Sequence, residues 1–439
     1  MSLHYKLNSL TKYPMHMPGH KRNGKFNIVG SNIDATEIEG LDNLHAPKGV
    51  IKEIENKLAR IYHCDNSHLL VNGSTVGLLA SIMAVCKEGD TIIVACNCHK
   101  SVYNACVLLR LNVIFVTPKW NELEGYYTTI DREDIRKAIS DNPDARAVVV
   151  TSPTYEGNVS NIGNINIPVI TDAAHGAHFG ISYFPAYPKG DIVISSLHKT
   201  LPSLTQTAVC NVYNKELEYN TKKYLDILQT TSPSYVLMNS VDICCDYILN
   251  QKSEFDDYYG RLTEFRSKIE LEHLSLKYTD DPGKIVISTA NASISGVELA
   301  DTLRNKYGIE PEMASISYVI LMTSVGDEEP AFSMLKEALE DIDAGLCHQQ
   351  CRSILAPNTK ADWNAKAVDD YVATDICEAV GKISAEFVMA YPPDIPILLP
   401  NTEITPMAMA YISDAIAQGI NIVSDSGLLP NKILTKADI

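Results

Sequence analysis

An α/β fold built on a mostly parallel sheet follows from three features of this 439-residue chain. Five short apolar runs, at 91–94, 113–116, 147–150, 169–171 and 192–194, are separated by helix-length segments, the spacing of parallel strands joined by crossover helices. Polar clusters lie just past these runs: His99 after the first, Thr154 and Tyr155 after the third, Asp172 and His175 after the fourth, and 196–200 after the fifth. Sheets of this kind bind ligands beyond the carboxyl ends of their strands. Past Asp281-Pro282-Gly283 the pattern shortens, with strands at 285–287 and 318–322 and helices at 298–307 and 332–341. A smaller α+β C-terminal domain is therefore expected over 283–439, after a large domain at 51–282.

Composition narrows the function. Hydrophobic residues make up 45% of the chain, enough for a large core in two or three domains. A net charge of -17 argues against nonspecific nucleic-acid binding and suits a cationic small substrate. Eleven cysteines, among them Cys96, Cys98 and the vicinal Cys244 and Cys245, lack the paired spacing of a zinc site. They read as reduced core thiols, with no metal expected. No apolar run approaches the ~20 residues that span a bilayer, and residues 1–12 are too polar for a signal peptide. A cytoplasmic location without a membrane partner is expected.

Residues 1–50 are turn-rich and read as an arm that packs across a neighbouring surface. Ile51, Ile54, Leu58 and Ile61 then keep helical spacing. A strand at 68–71 runs through Asn72-Gly73-Ser74-Thr75-Val76-Gly77 into a helix, with Val76, Leu79, Met83 and Cys86 on a helical period. A helix start carries free N–H groups and the positive end of the dipole, and Gly73, Ser74 and Thr75 let a phosphate approach and add hydroxyls. Alone, the junction also reads as an ordinary N-cap. Residues 229–235 lead into another helix, and the proline-rich 385–400 is expected to be an ordered non-helical loop.

The stretch 191–200, Asp-Ile-Val-Ile-Ser-Ser-Leu-His-Lys-Thr, carries the chemistry. A lysine just past a buried strand is paired or chemically used, and the fitting use is an imine to an aldehyde cofactor, pyridoxal 5'-phosphate. Alone, Lys199 would pass for a surface lysine. Such a site also needs an anion cradle, a carboxylate for the ring nitrogen and groups to clamp the ring. Ser74 and Thr75 with Ser196 and His198 supply the cradle, and Asp172 the carboxylate. His175 reaches towards the phenolic oxygen, small Ala174 lets the backbone lie under the ring, and His99 stacks on the other face.

Together these residues resemble the bacterial ornithine, lysine and arginine decarboxylases. The resemblance runs almost end to end, through Pro18-Gly19-His20-Lys21, Glu39-Gly40-Leu41-Asp42-Asn43-Leu44-His45, Asn72-Gly73-Ser74-Thr75, Asn97-Cys98-His99-Lys100-Ser101 and Pro153-Thr154-Tyr155. It continues in Asp172-Ala173-Ala174-His175-Gly176-Ala177-His178, Ser196-Leu197-His198-Lys199-Thr200, Thr231-Ser232-Pro233-Ser234 and Tyr391-Pro392-Pro393-Asp394-Ile395-Pro396. It implies the pyridoxal-phosphate-dependent transferase fold of type I, decarboxylation of a basic amino acid to its amine, and a homodimer with shared active sites. The loop 230–234, with Thr231, is similar to one that reaches the partner's cofactor in relatives. Ala173 and Asn43 stand where relatives commonly carry acidic residues, and the chain is expected to be a short form without the N-terminal wing of the large inducible enzymes.

In the mechanism this implies, Lys199 or His198 returns a proton to the α carbon after carbon dioxide leaves. An acid should face the substrate's distal cation, with Glu386 and Asp42 as candidates and Tyr155 close by. An aminotransferase, a β-eliminating lyase and a catalytically silent cofactor-binding homologue are the rival readings. Aminotransferases usually clamp the α-carboxylate with a small-domain arginine, and after Arg266 only Arg304 and Arg352 remain.

Overall fold

The computed structural model describes residues 2–349, 354 and 361–437, so Arg352 lies outside the described residues. The chain divides into two compact units, Met1–Val85 with Ile170–Asp257 and Cys86–Val169 with Tyr258–Ile439.

In the first unit four strands lie in the order Asn66–Leu70, Ala208–Val212, Ile192–Ser196, Val169–Asp172. The last two are parallel, and Ala208–Val212 is antiparallel to both of its neighbours. The strand Ile192–Ser196 is buried along its whole length, which explains an apolar run without alternation. The helix Gly73–Val85 packs on this sheet through a glycine. A Cβ added at Gly77 would lie 2.8 Å from Leu70 and 2.9 Å from Ile194. The helix Val50–Tyr62 buries Ile51, Ile54 and Leu58 as their spacing predicts, together with Val50 and Tyr62, while Ile61 is only partly buried. The helix Leu3–Asn8 within the arm buries Leu3 and Leu7, and the His4 N–H donates to Asp242.

In the second unit Val148–Thr151, Thr91–Ala95 and Asn112–Val116 are parallel neighbours, and the short strand Trp363–Asn364 closes the row antiparallel. A separate antiparallel sheet runs Ser275–Lys277, Lys284–Ser288, Tyr318–Met322, Met313–Ala314. The helices Gly296–Tyr307 and Glu329–Asp343 accompany it, the first opened by a Ser295/Glu298 capping box.

One expectation needs correction. The stretch 385–400 is not a loop throughout: Val388–Ala390 and Ile395–Leu398 pair as antiparallel strands. Pro392 and Pro393 sit in the turn between them, and Pro396 lies in an edge strand, where a missing N–H costs no ladder bond.

Candidate active site

The first unit gathers most of the chemistry at the ends of two parallel strands. Val169–Asp172 ends on Asp172, whose carboxylate is buried and accepts the Ala174 N–H at 3.1 Å. The turn beyond it is held to the next strand by the Ala173 N–H, which donates to the Ile194 carbonyl at 2.8 Å. That turn presents His175, also buried.

Ile192–Ser196 feeds directly into the one-turn helix Leu197–Thr200, which carries Lys199. Its Nζ stands 2.9 Å from Nε2 of His175. At this distance one nitrogen donates a hydrogen bond to the other, so His175 can take or return the proton that Lys199 must shed to act as a nucleophile.

His198 is anchored through one ring nitrogen: its Nδ1 donates to the Thr207 carbonyl at 2.9 Å, which leaves Nε2 to face other groups. Burial pushes its pKa below the ordinary histidine value, the Thr207 bond opposes this, and the neighbouring Lys199 charge adds to the fall.

The anion cradle is also assembled. The Ser196 hydroxyl donates to the Ser74 Oγ at 3.0 Å, joining the lysine strand to the first turn of Gly73–Val85. Gly73 takes φ +71° and donates its N–H to the Gln206 carbonyl at 2.8 Å. That left-handed conformation is the reason for a glycine here. The N–H groups of a first helical turn have no carbonyl four residues back, and Thr75 is exposed beside them. The loop 230–234 lies at the same junction. The Thr230 N–H reaches Asn72 Oδ1 at 3.5 Å, and the Gln229 side chain accepts the Val71 N–H at 3.1 Å. Thr231 is exposed next to these contacts.

Asp42 also serves structure. Its carboxylate accepts the N–H groups of Gly49 at 2.6 Å and Ile51 at 3.2 Å at the start of Val50–Tyr62. Although partial burial raises its pKa, these backbone bonds prevail and hold it below the ordinary carboxylate value.

In the second unit His99 caps the helix Lys100–Leu108, its Nδ1 accepting the Ser101 N–H at 3.1 Å and its Nε2 standing 3.7 Å from Asp394. The Tyr155 hydroxyl donates to Glu312 at 2.6 Å, and the Lys284 ammonium lies 5.7 Å from the Tyr155 ring centroid. Glu386 is buried, and its carboxylate accepts the N–H groups of Ser426 at 2.8 Å and Leu434 at 2.6 Å. Like Asp42, it meets backbone donors. Sequence reasoning passed over Glu312 and Asp394, the acids that meet Tyr155 and His99. Asp394 lies within the quoted motif Tyr391-Pro392-Pro393-Asp394-Ile395-Pro396, whereas Glu312 carries no local signal.

Comparison with known proteins identifies the family and the fold. A family model described as "Orn/Lys/Arg decarboxylase, major domain" matches residues 6–277. The arginine decarboxylase of Halalkalibacterium halodurans is 31% identical, over 93% of this chain and 91% of its own length. Among solved structures, the constitutive lysine decarboxylase of Escherichia coli superposes with a TM-score of 0.81 at 16% identity, covering 99% of this chain and 81% of that one. A structure described as SPT with PLP superposes with a TM-score of 0.54 at 12% identity, over 67% of this chain and 76% of that one. The fold is the α/β type I fold of pyridoxal-phosphate-dependent enzymes, and the chain belongs to the Orn/Lys/Arg decarboxylase family.

Proposed function

We propose that this decarboxylase acts on arginine, using pyridoxal 5'-phosphate held by Lys199, Asp172, His175, Ala174, Gly73, Ser74, Thr75, Ser196 and His198. The observation that carries the reading is the 2.9 Å contact of Lys199 with His175, beside the strand end that buries Asp172. The residues fit the cofactor: an amine for its aldehyde, a buried carboxylate for its ring nitrogen, and two hydroxyls 3.0 Å apart at a helix start for its phosphate. The choice of arginine rests on the relative that is similar over nearly the whole chain.

When bound, the cofactor supplies an electron sink for the pair released as the substrate's carboxylate leaves as carbon dioxide. Asp172 holds the proton on the ring nitrogen that makes the sink effective. Ser74, Thr75 and Ser196, with the first-turn N–H groups, bind and orient the phosphate. Lys199, in contact with His175, is chosen over His198 for protonating the α carbon, because His198 is tied through Nδ1 to Thr207 and burial lowers its pKa. Stacking by His99, contact of Tyr155 with substrate, and a Thr231 contact to a partner's cofactor in a homodimer are carried forward from the sequence motifs. So are a cytoplasmic location and the linear division into an arm at 1–50, a large domain at 51–282 and a small domain at 283–439. Glu386 and Asp42 are carried forward for the substrate's distal cation, with carboxylates that also accept backbone N–H groups. Among the described residues no helix is long and apolar enough to cross a membrane.

The test is carbon dioxide release from arginine, lysine and ornithine by the pure protein with added pyridoxal phosphate, with Lys199→Ala as control. Release is expected with arginine, producing its decarboxylated amine, and is abolished in the variant. Release from lysine or ornithine alone would overturn the substrate assignment. Keto-acid formation in place of an amine would overturn the reaction.

A further inference from the structure

We infer that the packed tyrosines Tyr62 and Tyr187 are positioning residues that set the spacing of Lys199 and His175, an inference that rests on the cofactor reading above. Their ring centroids are 4.5 Å apart with the planes at 38°. Each hydroxyl holds one of the two segments that meet at the site. Tyr62, the last residue of Val50–Tyr62 and buried, donates to the Ala177 carbonyl at 2.9 Å, two residues past His175. The Tyr187 hydroxyl lies 2.6 Å from the Ser195 Oγ, four residues before Lys199.

Strand alternation puts Ser195 and Ser196 on opposite faces of the sheet. Ser196 faces Ser74 and the cradle, whereas Ser195 is held from the other side. The Tyr187 oxygen also accepts from Asn211 Nδ2 at 2.9 Å, and Asn211 Oδ1 in turn accepts from the Ser67 hydroxyl at 2.6 Å. A continuous polar chain thus crosses three strands and ends on the lysine strand. Tyr62 is braced in its turn, for its carbonyl accepts the Tyr213 hydroxyl at 2.7 Å. Burial pushes both phenols above the ordinary tyrosine range, so neither ionises at neutral pH. Because the tilted rings are in contact, a shift of the Ala177 segment is passed to the Ser195 segment and back. The nitrogens of Lys199 and His175 are 2.9 Å apart, and such a contact weakens steeply with small displacements.

The test uses Tyr62→Phe and Tyr187→Phe in the full-length protein, since each keeps the ring and removes only the hydroxyl. Cofactor affinity and the pH at which the visible absorbance of lysine-bound pyridoxal phosphate changes are measured, with thermal unfolding alongside. Each variant is expected to weaken cofactor binding by about fivefold to tenfold, the scale of one buried hydrogen bond. Each should also move the pH midpoint of the absorbance change, with less than additive effects in the double variant. Lowered unfolding temperature with wild-type affinity and a wild-type spectral midpoint would reduce the pair to a structural role and overturn the inference. If Tyr187→Phe does not fold, Ser195→Ala breaks the same hold with a smaller change and is judged by the same two readouts. Should wild type itself fail to bind the cofactor, the site reading falls and this inference with it. Normal binding lost in Lys199→Ala but untouched in the tyrosine variants sinks the inference alone.

Discussion

His68 shows how far a single residue in this chain departs from its free-solution chemistry. It is buried on the strand Asn66–Leu70, with Nε2 3.0 Å from Glu218 and Nδ1 3.7 Å from Glu55. The second distance is too long for a hydrogen bond, so Glu55 acts through its charge. Burial alone would lower the pKa of His68; the two carboxylates outweigh it and raise the value to about 9. The unfolded chain releases that proton near the ordinary histidine value of about 6.5. Below that pH both states are protonated and the stabilisation is fully present; as pH rises through about 9 it is lost. Thermal unfolding of the wild type is therefore expected to drop between neutral pH and about pH 9.5, by the equivalent of a few kcal/mol. His68→Gln should be less stable at pH 7 and flatter over that window. An equally steep fall in the variant would remove His68 as the cause. None of this was legible in the sequence, where His68 is one polar residue at the start of an apolar run.

Among elements, the helix Gly73–Val85 places Ser74 and Thr75, and its position depends on close approach to the sheet. Gly77 is the contact point, with Leu70 on one strand and Ile194 on the lysine strand within 3 Å of where a Cβ would sit. Gly77→Ala gains helix propensity of about 1 kcal/mol. Overpacking costs typically 1–3 kcal/mol, and here the atoms met are branched side chains in a full core. The net expectation is a destabilised protein whose pyridoxal-phosphate affinity falls as the first turn is pushed off the Ser196 side. Denaturant unfolding and a cofactor titration check the two parts separately. A more stable variant with unchanged affinity would show that the helix can move without cost.

At this scale sequence reading did well where one physical signal dominates. Uniformly buried strands announce themselves as apolar runs, and glycine and hydroxyl residues mark the helix start. It missed Ala208–Val212, whose small and polar members, Ala208, Cys210 and Asn211, hide a strand that is buried throughout. It also assigned Glu386 and Asp42 by charge. Charge is visible in a sequence, but the backbone donors that also meet these carboxylates are not.

For the whole molecule, the surface of the arm bears on assembly. Tyr13, Met15, Met17, Phe26, Ile28 and Val29 are all more than half exposed, and Val29 completely so. Under the proposed homodimer these exposed apolar side chains of the arm are the surface that a second copy would cover. Under the proposed homodimer, sedimentation should give twice the 48.3 kDa of one chain. Met15→Asp combined with Val29→Asp should shift the mass towards a single chain at micromolar concentration. A monomeric wild type would remove the Thr231 contact from the proposal.

The strand Ala208–Val212 also has a consequence for synthesis. Asn66–Leu70 pairs with it alone, Asn66 opposite Val212 and Leu70 opposite Ala208, so an early strand must wait for one made much later. The lysine strand likewise gains its second neighbour only when this strand arrives. While the nascent chain is shorter than that, two strand edges have open hydrogen-bonding rows, the condition in which chains stick to one another. A fragment that stops before Ala208 would carry every phosphate-binding residue proposed here, together with Lys199, and still lack the strand that joins them into one sheet.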